Sequence, residues 1–206
     1  PFQSICADFF YLGTQSYLVV VDRYSNWFNI FKLTKDTTAE TLTMLRQYIT
    51  MFGIPVTLTT DGARVFTSQQ FEDFCSRWGI VHRVSTAYIP QANKRAELAV
   101  KHAKRLIRGN TSQTGSLDTD NLVKAVLMHR NTPSADTGLS PAMTIFGRQV
   151  RDTLPLQPGK FFPKQEWRLA AKAREEALAK TRSIFNVPVS ANSEKSLLSN
   201  GKISSR

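Results

Sequence analysis

The chain is short of cysteine, histidine, acidic residues and long apolar runs, and each shortage removes a class of function. Its two cysteines, Cys6 and Cys75, form no C-x-x-C pair, which excludes a disulfide framework or a cysteine-based zinc site. Both stand among apolar neighbours and read as reduced core thiols of an intracellular protein. His82, His102 and His129 have no cysteine partners at zinc-finger spacing. No apolar stretch reaches the roughly 18 residues that span a bilayer, so no membrane partner is expected. Acidic residues number 16 against 27 Lys and Arg, for a formal charge of +11. That excess points to a polyanionic partner, most simply nucleic acid. The opening residues, Pro1-Phe2-Gln3, offer neither an initiator Met nor a signal peptide, so the chain reads as a piece of a longer polypeptide.

What is present suffices for a core: 41% of the residues are hydrophobic, among them 13 Phe and 3 Trp. Ile5 to Phe10, Tyr17 to Val21 and Trp27 to Leu33 read as a meander of three strands. Thr38 offers an N-cap to a helix with Leu42, Leu45, Ile49 and Phe52 on one side, stopped by Gly53-Ile54-Pro55. Val56 to Thr60 return as a strand, Ser68 caps a helix through Trp78, and Ile80 to Ser85 form a fifth strand. Thr86 to Ala92 read as a loop punctuated by Pro90. Helices follow over Asn93 to Arg108 and Leu117 to His129, and a short one ends near Phe146-Gly147-Arg148. The order βββαβαβα is an α/β arrangement of RNase H-like type, a five-stranded mixed sheet flanked by helices. Residues 1–150 are expected to form this core, 151–165 a linker, 166–185 a basic helical extension and 186–206 a disordered tail.

Three acids occupy telling positions. Asp8 interrupts the apolar run Ile5-Cys6-Ala7-Asp8-Phe9-Phe10; Asp61 follows the strand Val56 to Thr60; Glu97 lies on a helix whose other charged residues are basic. Between Asp61 and Glu97 stand 35 residues. At this spacing the chain resembles the catalytic core of retroviral and LTR-retrotransposon integrases, with their D…D-35-E triad. The likeness extends to Tyr17 to Trp27, Phe74 to His82, His129 to Pro133 and Thr137 to Arg148, which resemble integrases of the Ty3/gypsy class. Asp22 also ends an apolar strand. It reads as a structural turn acid pairing with Arg23 or Ser25, outside the triad.

The resemblance implies a metal-dependent polynucleotidyl transferase that processes 3′ ends of element DNA and joins them to target DNA. Its Asp8, Asp61 and Glu97 would be both catalytic residues and ligands of two Mg²⁺ ions, with Mn²⁺ able to substitute. The segment Tyr88 to Glu97 resembles the family's Y-x-P-Q-x-N-G-R-A-E, with Lys94 in place of Gly, so Gln91 and Asn93 would lie near the DNA strand. Lys94 and Arg95 crowd the helix start, and Lys101, Lys104 and Arg108 recur by three or four residues with Arg105 beside them. Such a stripe suits phosphate backbones. The expected partners are element and target DNA and further copies of the chain; the expected location is the nucleus. Two other readings stand beside this one, a domesticated DNA-binding protein without catalysis and an RNase H-like nuclease that only hydrolyses.

Overall fold

A computed structural model describes residues 1–85, 90–113, 115–134, 138–155, 167, 169, 172, 173 and 176; for 90–97 and 99 it describes the backbone alone. The elements run β1 (Ser4–Leu12), β2 (Gln15–Asp22), β3 (Phe28–Leu33), α1 (Thr38–Phe52), β4 (Thr57–Thr60), α2 (Gln69–Arg77), β5 (Val81–Val84), α3 (Pro90–Gly109), α4 (Thr119–Asn131) and α5 (Pro141–Phe146). The sheet order is β3-β2-β1-β4-β5. The first three strands pair antiparallel, while β4 lies parallel to both β1 and β5. This is the expected five-stranded mixed sheet, and β1 sits at its centre because it accepts a local hairpin partner on one side and a crossover partner on the other.

Alternation along the strands divides the core in two. Ile5, Ala7, Leu18, Val20 and Leu58 face α1, α2 and the turn before α2, where they meet Leu42, Leu45, Tyr48, Phe66 and Phe71. Cys6, Phe10, Tyr17, Val19 and Val21 face the other way, onto Val100, Ala103, Ile107 and Leu122 of α3 and α4. A strand buried on both faces must be apolar throughout, which is why β2 reads Tyr-Leu-Val-Val-Val rather than alternating. Asp8 belongs to the α3 face of β1 by the same parity.

The helix starts differ from expectation by small steps, each with a reason. Thr37, not Thr38, caps α1: its Oγ1 accepts from the Glu40 backbone at 3.3 Å, while the Glu40 carboxylate accepts from the Thr34 and Lys35 backbones. This is a close variant of the reciprocal Thr-x-x-Glu capping box. Helix α3 begins at Pro90, so Pro90 to Ala92 are helical rather than loop; proline suits a first helical turn, where its missing N–H is no loss. Asp118 caps α4 through its side chain, which moves that start past Leu117.

The chain divides into two compact units, Pro1–Trp167 and Arg168–Arg206. Within the first, the Trp167 indole lies against Gly147, whose positive φ of 69° ends α5 and whose missing Cβ leaves the ring its room. In the second, residues 169, 172, 173 and 176 are helical. Most of the expected linker and helical extension, and all of the expected tail at 186–206, lie outside the described residues.

Candidate phosphoryl-transfer site

The site grows from one register. Ser4, Ile5 and Cys6 pair with Thr57, Leu58 and Thr59 in parallel. Two residues further along each strand stand Asp8 and Asp61, at the point where β4 leaves the sheet and β1 continues beside β2. The sheet thus sets two acids, 53 residues apart in sequence, next to one another. Their charges are felt. Burial pushes the Asp8 carboxyl above its usual range, Lys104 draws it down, and the Asp61 charge pushes it up again.

Asp61 is held from behind. Its Oδ1 accepts from the Ala63 backbone at 3.2 Å, and its carbonyl oxygen accepts from Thr60 Oγ1 at 2.9 Å. His82 Nε2 lies 2.8 Å from the same hydroxyl. A hydroxyl has one proton, and Thr60 gives it to Asp61, so His82 must donate through Nε2. Burial against Phe71, 5.0 Å away, lowers the His82 pKa, so the imidazole serves as a neutral donor. Sequence reasoning missed this relay to Asp61; only the pairing of β5 with β4 places position 82 within reach of Thr60.

Helix α3 closes the other side, packing on the face of β1 to β3 that carries Cys6 and Phe10. Lys104 Nζ lies 3.4 Å from Asp8 Oδ2. Position 97 is seven residues, two turns or about 10 Å, nearer the start of the same helix. The Glu97 side chain lies outside the described residues, as do those of Gln91, Asn93, Lys94 and Arg95. Lys101, Arg105 and Arg108 are exposed, and Lys104 is half-buried at the edge of their stripe.

Asp22, by contrast, is wholly buried. Its Oδ1 accepts from the Phe2 backbone at 2.8 Å, and its Oδ2 accepts from Ser25 N at 2.9 Å and Ser25 Oγ at 2.6 Å. The carboxylate organises the β2–β3 turn. Ser25 is its partner in that turn, as one of the two expected pairings had it.

The donor set suits a hard divalent cation. Asp8 and Asp61 offer oxygen alone, and Asp8 is desolvated by burial with the Asp61 charge beside it and Lys104 as its cationic neighbour. Among the described residues no three His, Cys, Asp or Glu side chains form a metal cluster.

Comparison with known proteins decides the family. Residues 1–90 match the model of the integrase core domain, a span that holds Asp8 and Asp61 and stops short of position 97. The chain carries an integrase core domain. An uncharacterized protein of Caenorhabditis elegans is 36% identical over 141 residues, covering 68% of this chain and 11% of its own length. The Transposon Tf2-3 polyprotein of Schizosaccharomyces pombe is 27% identical over 173 residues, covering 81% of this chain and 13% of its own. This integrase core therefore spans about a tenth of the curated relatives it matches.

Solved structures agree on the fold. The catalytic core domain of BIV integrase superposes with a TM-score of 0.56 at 18% identity, covering 68% of this chain and 91% of its own. The HTLV-2 integrase catalytic core domain, solved with magnesium in a dimeric form, gives 0.55 at 22% identity, covering 69% and 94%. An intasome of simian T-cell lymphotropic virus gives 0.62 at 19% identity, covering 77% of this chain and 59% of that one. The integrase core has the RNase H-like fold of retroviral integrase catalytic cores.

Proposed function

We propose that the chain joins DNA strands, as the catalytic core of an LTR-retrotransposon integrase that processes 3′ ends and transfers them into target DNA. The observation that carries this reading is the β1–β4 register, which brings Asp8 and Asp61 together beside a helix carrying Glu97. Asp8, Asp61 and Glu97 would hold two Mg²⁺ or Mn²⁺ ions. Bound there, the ions supply activation of the attacking hydroxyl and stabilisation of the leaving oxygen in an in-line displacement.

The protein's own part is placement. Asp8 sits on β1, the innermost strand of the sheet. His82 and Thr60 fix the backbone that carries Asp61. Lys101, Lys104, Arg105 and Arg108, with Gln91, Asn93, Lys94 and Arg95 at the helix start, would grip phosphate and sugar and so set the strand's register without reading sequence. DNA and further copies of the chain are the inferred partners, and the nucleus is the inferred place of work.

The test is strand cleavage and rejoining on a branched DNA that mimics the integration product, with Mg²⁺ or Mn²⁺. Wild type should join strands, while Asp61→Asn and Glu97→Gln should lose at least about two orders of magnitude, since each removes charge stabilisation from the transition state. Strands cut but never joined would indicate a hydrolytic nuclease. Binding without turnover in all three proteins would indicate a DNA-binding remnant, a reading that the exposed basic stripe favours independently of the acids.

A further inference from the structure

A cation already rests on the central acid, and it belongs to the protein. Lys104 Nζ is 3.4 Å from Asp8 Oδ2 and 5.8 Å from the centre of the Phe10 ring. Asp8 and Phe10 are two residues apart on β1 and share the face that α3 covers. Phe10 is itself fixed, stacked on Tyr17 with ring centres 4.9 Å apart. The ammonium therefore has a seat made of one carboxylate and one ring face. Both charged partners remain about a third exposed, at 32% and 34%, so the seat can be entered and left. The other basic side chains described along the stripe, Lys101, Arg105 and Arg108, lie out in solvent.

Resting on the reading of Asp8 as a metal ligand, we propose that Lys104 is a placeholder cation: it competes with a divalent ion for Asp8, and a DNA phosphate draws it away. A carboxylate oxygen engaged by an ammonium has given up charge and lone pairs that a hard cation requires. The contest is close because an ion pair left a third exposed is weak. Lysine suits the role, since its head is a point charge on a flexible four-carbon stem, whereas arginine is a planar fork committed to paired oxygens. A phosphate has a route to it, because Lys101, Arg105 and Arg108 stand exposed on the same helix to either side of Lys104 and would bring a DNA backbone alongside.

Thermodynamic linkage then makes the two ligands cooperative: DNA tightens metal binding, and metal tightens DNA binding by the same factor. The free protein holds its site under-loaded, and the reacting centre is completed only on DNA.

The test is the affinity of the full chain for Mn²⁺, read by calorimetry and by the spin-resonance signal of the free ion. It is measured with and without a short DNA duplex, after subtracting ions held by the duplex alone. In wild type the duplex should tighten Mn²⁺ binding. Lys104→Met, which keeps the stem over Phe10 and drops the charge, should bind Mn²⁺ about fivefold more tightly without DNA, and the duplex should add little. Lys104→Arg should stay as weak as wild type without DNA. Equal or weaker affinity in Lys104→Met, or no effect of the duplex on wild type, overturns the inference while leaving Asp8 as a ligand. Mn²⁺ binding that persists in Asp8→Asn, or that is missing from every protein with DNA present, overturns the proposed site and the inference with it.

Discussion

A carboxylate that accepts three hydrogen bonds out of reach of water carries structure, and Asp22 does so at the β2–β3 turn. Truncation at this position strands three donors, two backbone amides and the Ser25 hydroxyl. Asp22→Ala should therefore cost about 3 kcal/mol or more, a large share of a domain's stability. Asp22→Asn, which keeps the shape and one accepting oxygen, should cost less. Urea denaturation measures both. Loss of Mn²⁺ affinity in Asp22→Asn without loss of stability would instead put Asp22 among the metal ligands. The contrast with Asp8 is one of surroundings: both acids end up in the sheet, but only Asp22 is saturated, by Ser25 of its own turn and by the Phe2 backbone. Sequence could separate them because Ser25 follows Asp22 at turn spacing, while nothing near Asp8 in sequence can satisfy it.

Helix α4 is held to the sheet by aromatic and cationic contacts rather than by a broad apolar face; Leu122 is its one fully buried residue. Arg130 lies 3.8 Å over the Trp27 ring, and His129 packs on Phe28 with ring centres 4.7 Å apart. His129 also bonds the Asn26 backbone, and its Nε2 is buried without a partner among the described residues. Burial, with the neighbouring His102 adding to it, pulls the His129 pKa down to about 4. The unfolded chain takes up that proton near 6.5, so between these values the unfolded state binds more protons. Stability should thus fall as pH drops from 6.5 toward 4, by up to about 3 kcal/mol from this residue. Denaturation at several pH values checks it, and His129→Leu should flatten that part of the profile; an unchanged slope would show that the proton goes elsewhere. None of this was legible in the sequence, where His129 and Arg130 are two polar letters on a helix. Element boundaries were legible where a chemical signal was local. The pairing of Thr37 with Glu40 was there to be read, whereas Pro90 looks the same as loop punctuation or as a first helical residue.

For the whole molecule, sheet order was legible because three meandering strands followed by alternating helices and strands leave few arrangements. That Asp8 and Asp61 meet followed from the order of strands, and their meeting depends on no contact between neighbours in the chain. The joint between Lys104 and Asp8 was not legible; it requires knowing which side of β1 the helix covers. The same topology has a consequence for how the protein comes into being. The β1–β2 and β2–β3 hairpins close over short loops, but the β1–β4 pairing spans some fifty residues and must wait for the crossover through α1. Closing long loops is slow. The meander should protect its amides early in refolding, and Thr57–Thr60 should follow late; pulse-labelled hydrogen exchange would separate the two, and simultaneous protection would refute the order. A chain still emerging or half-folded then carries Asp8 and Asp61 apart, and brings the two acids together only at the last stage of its own assembly.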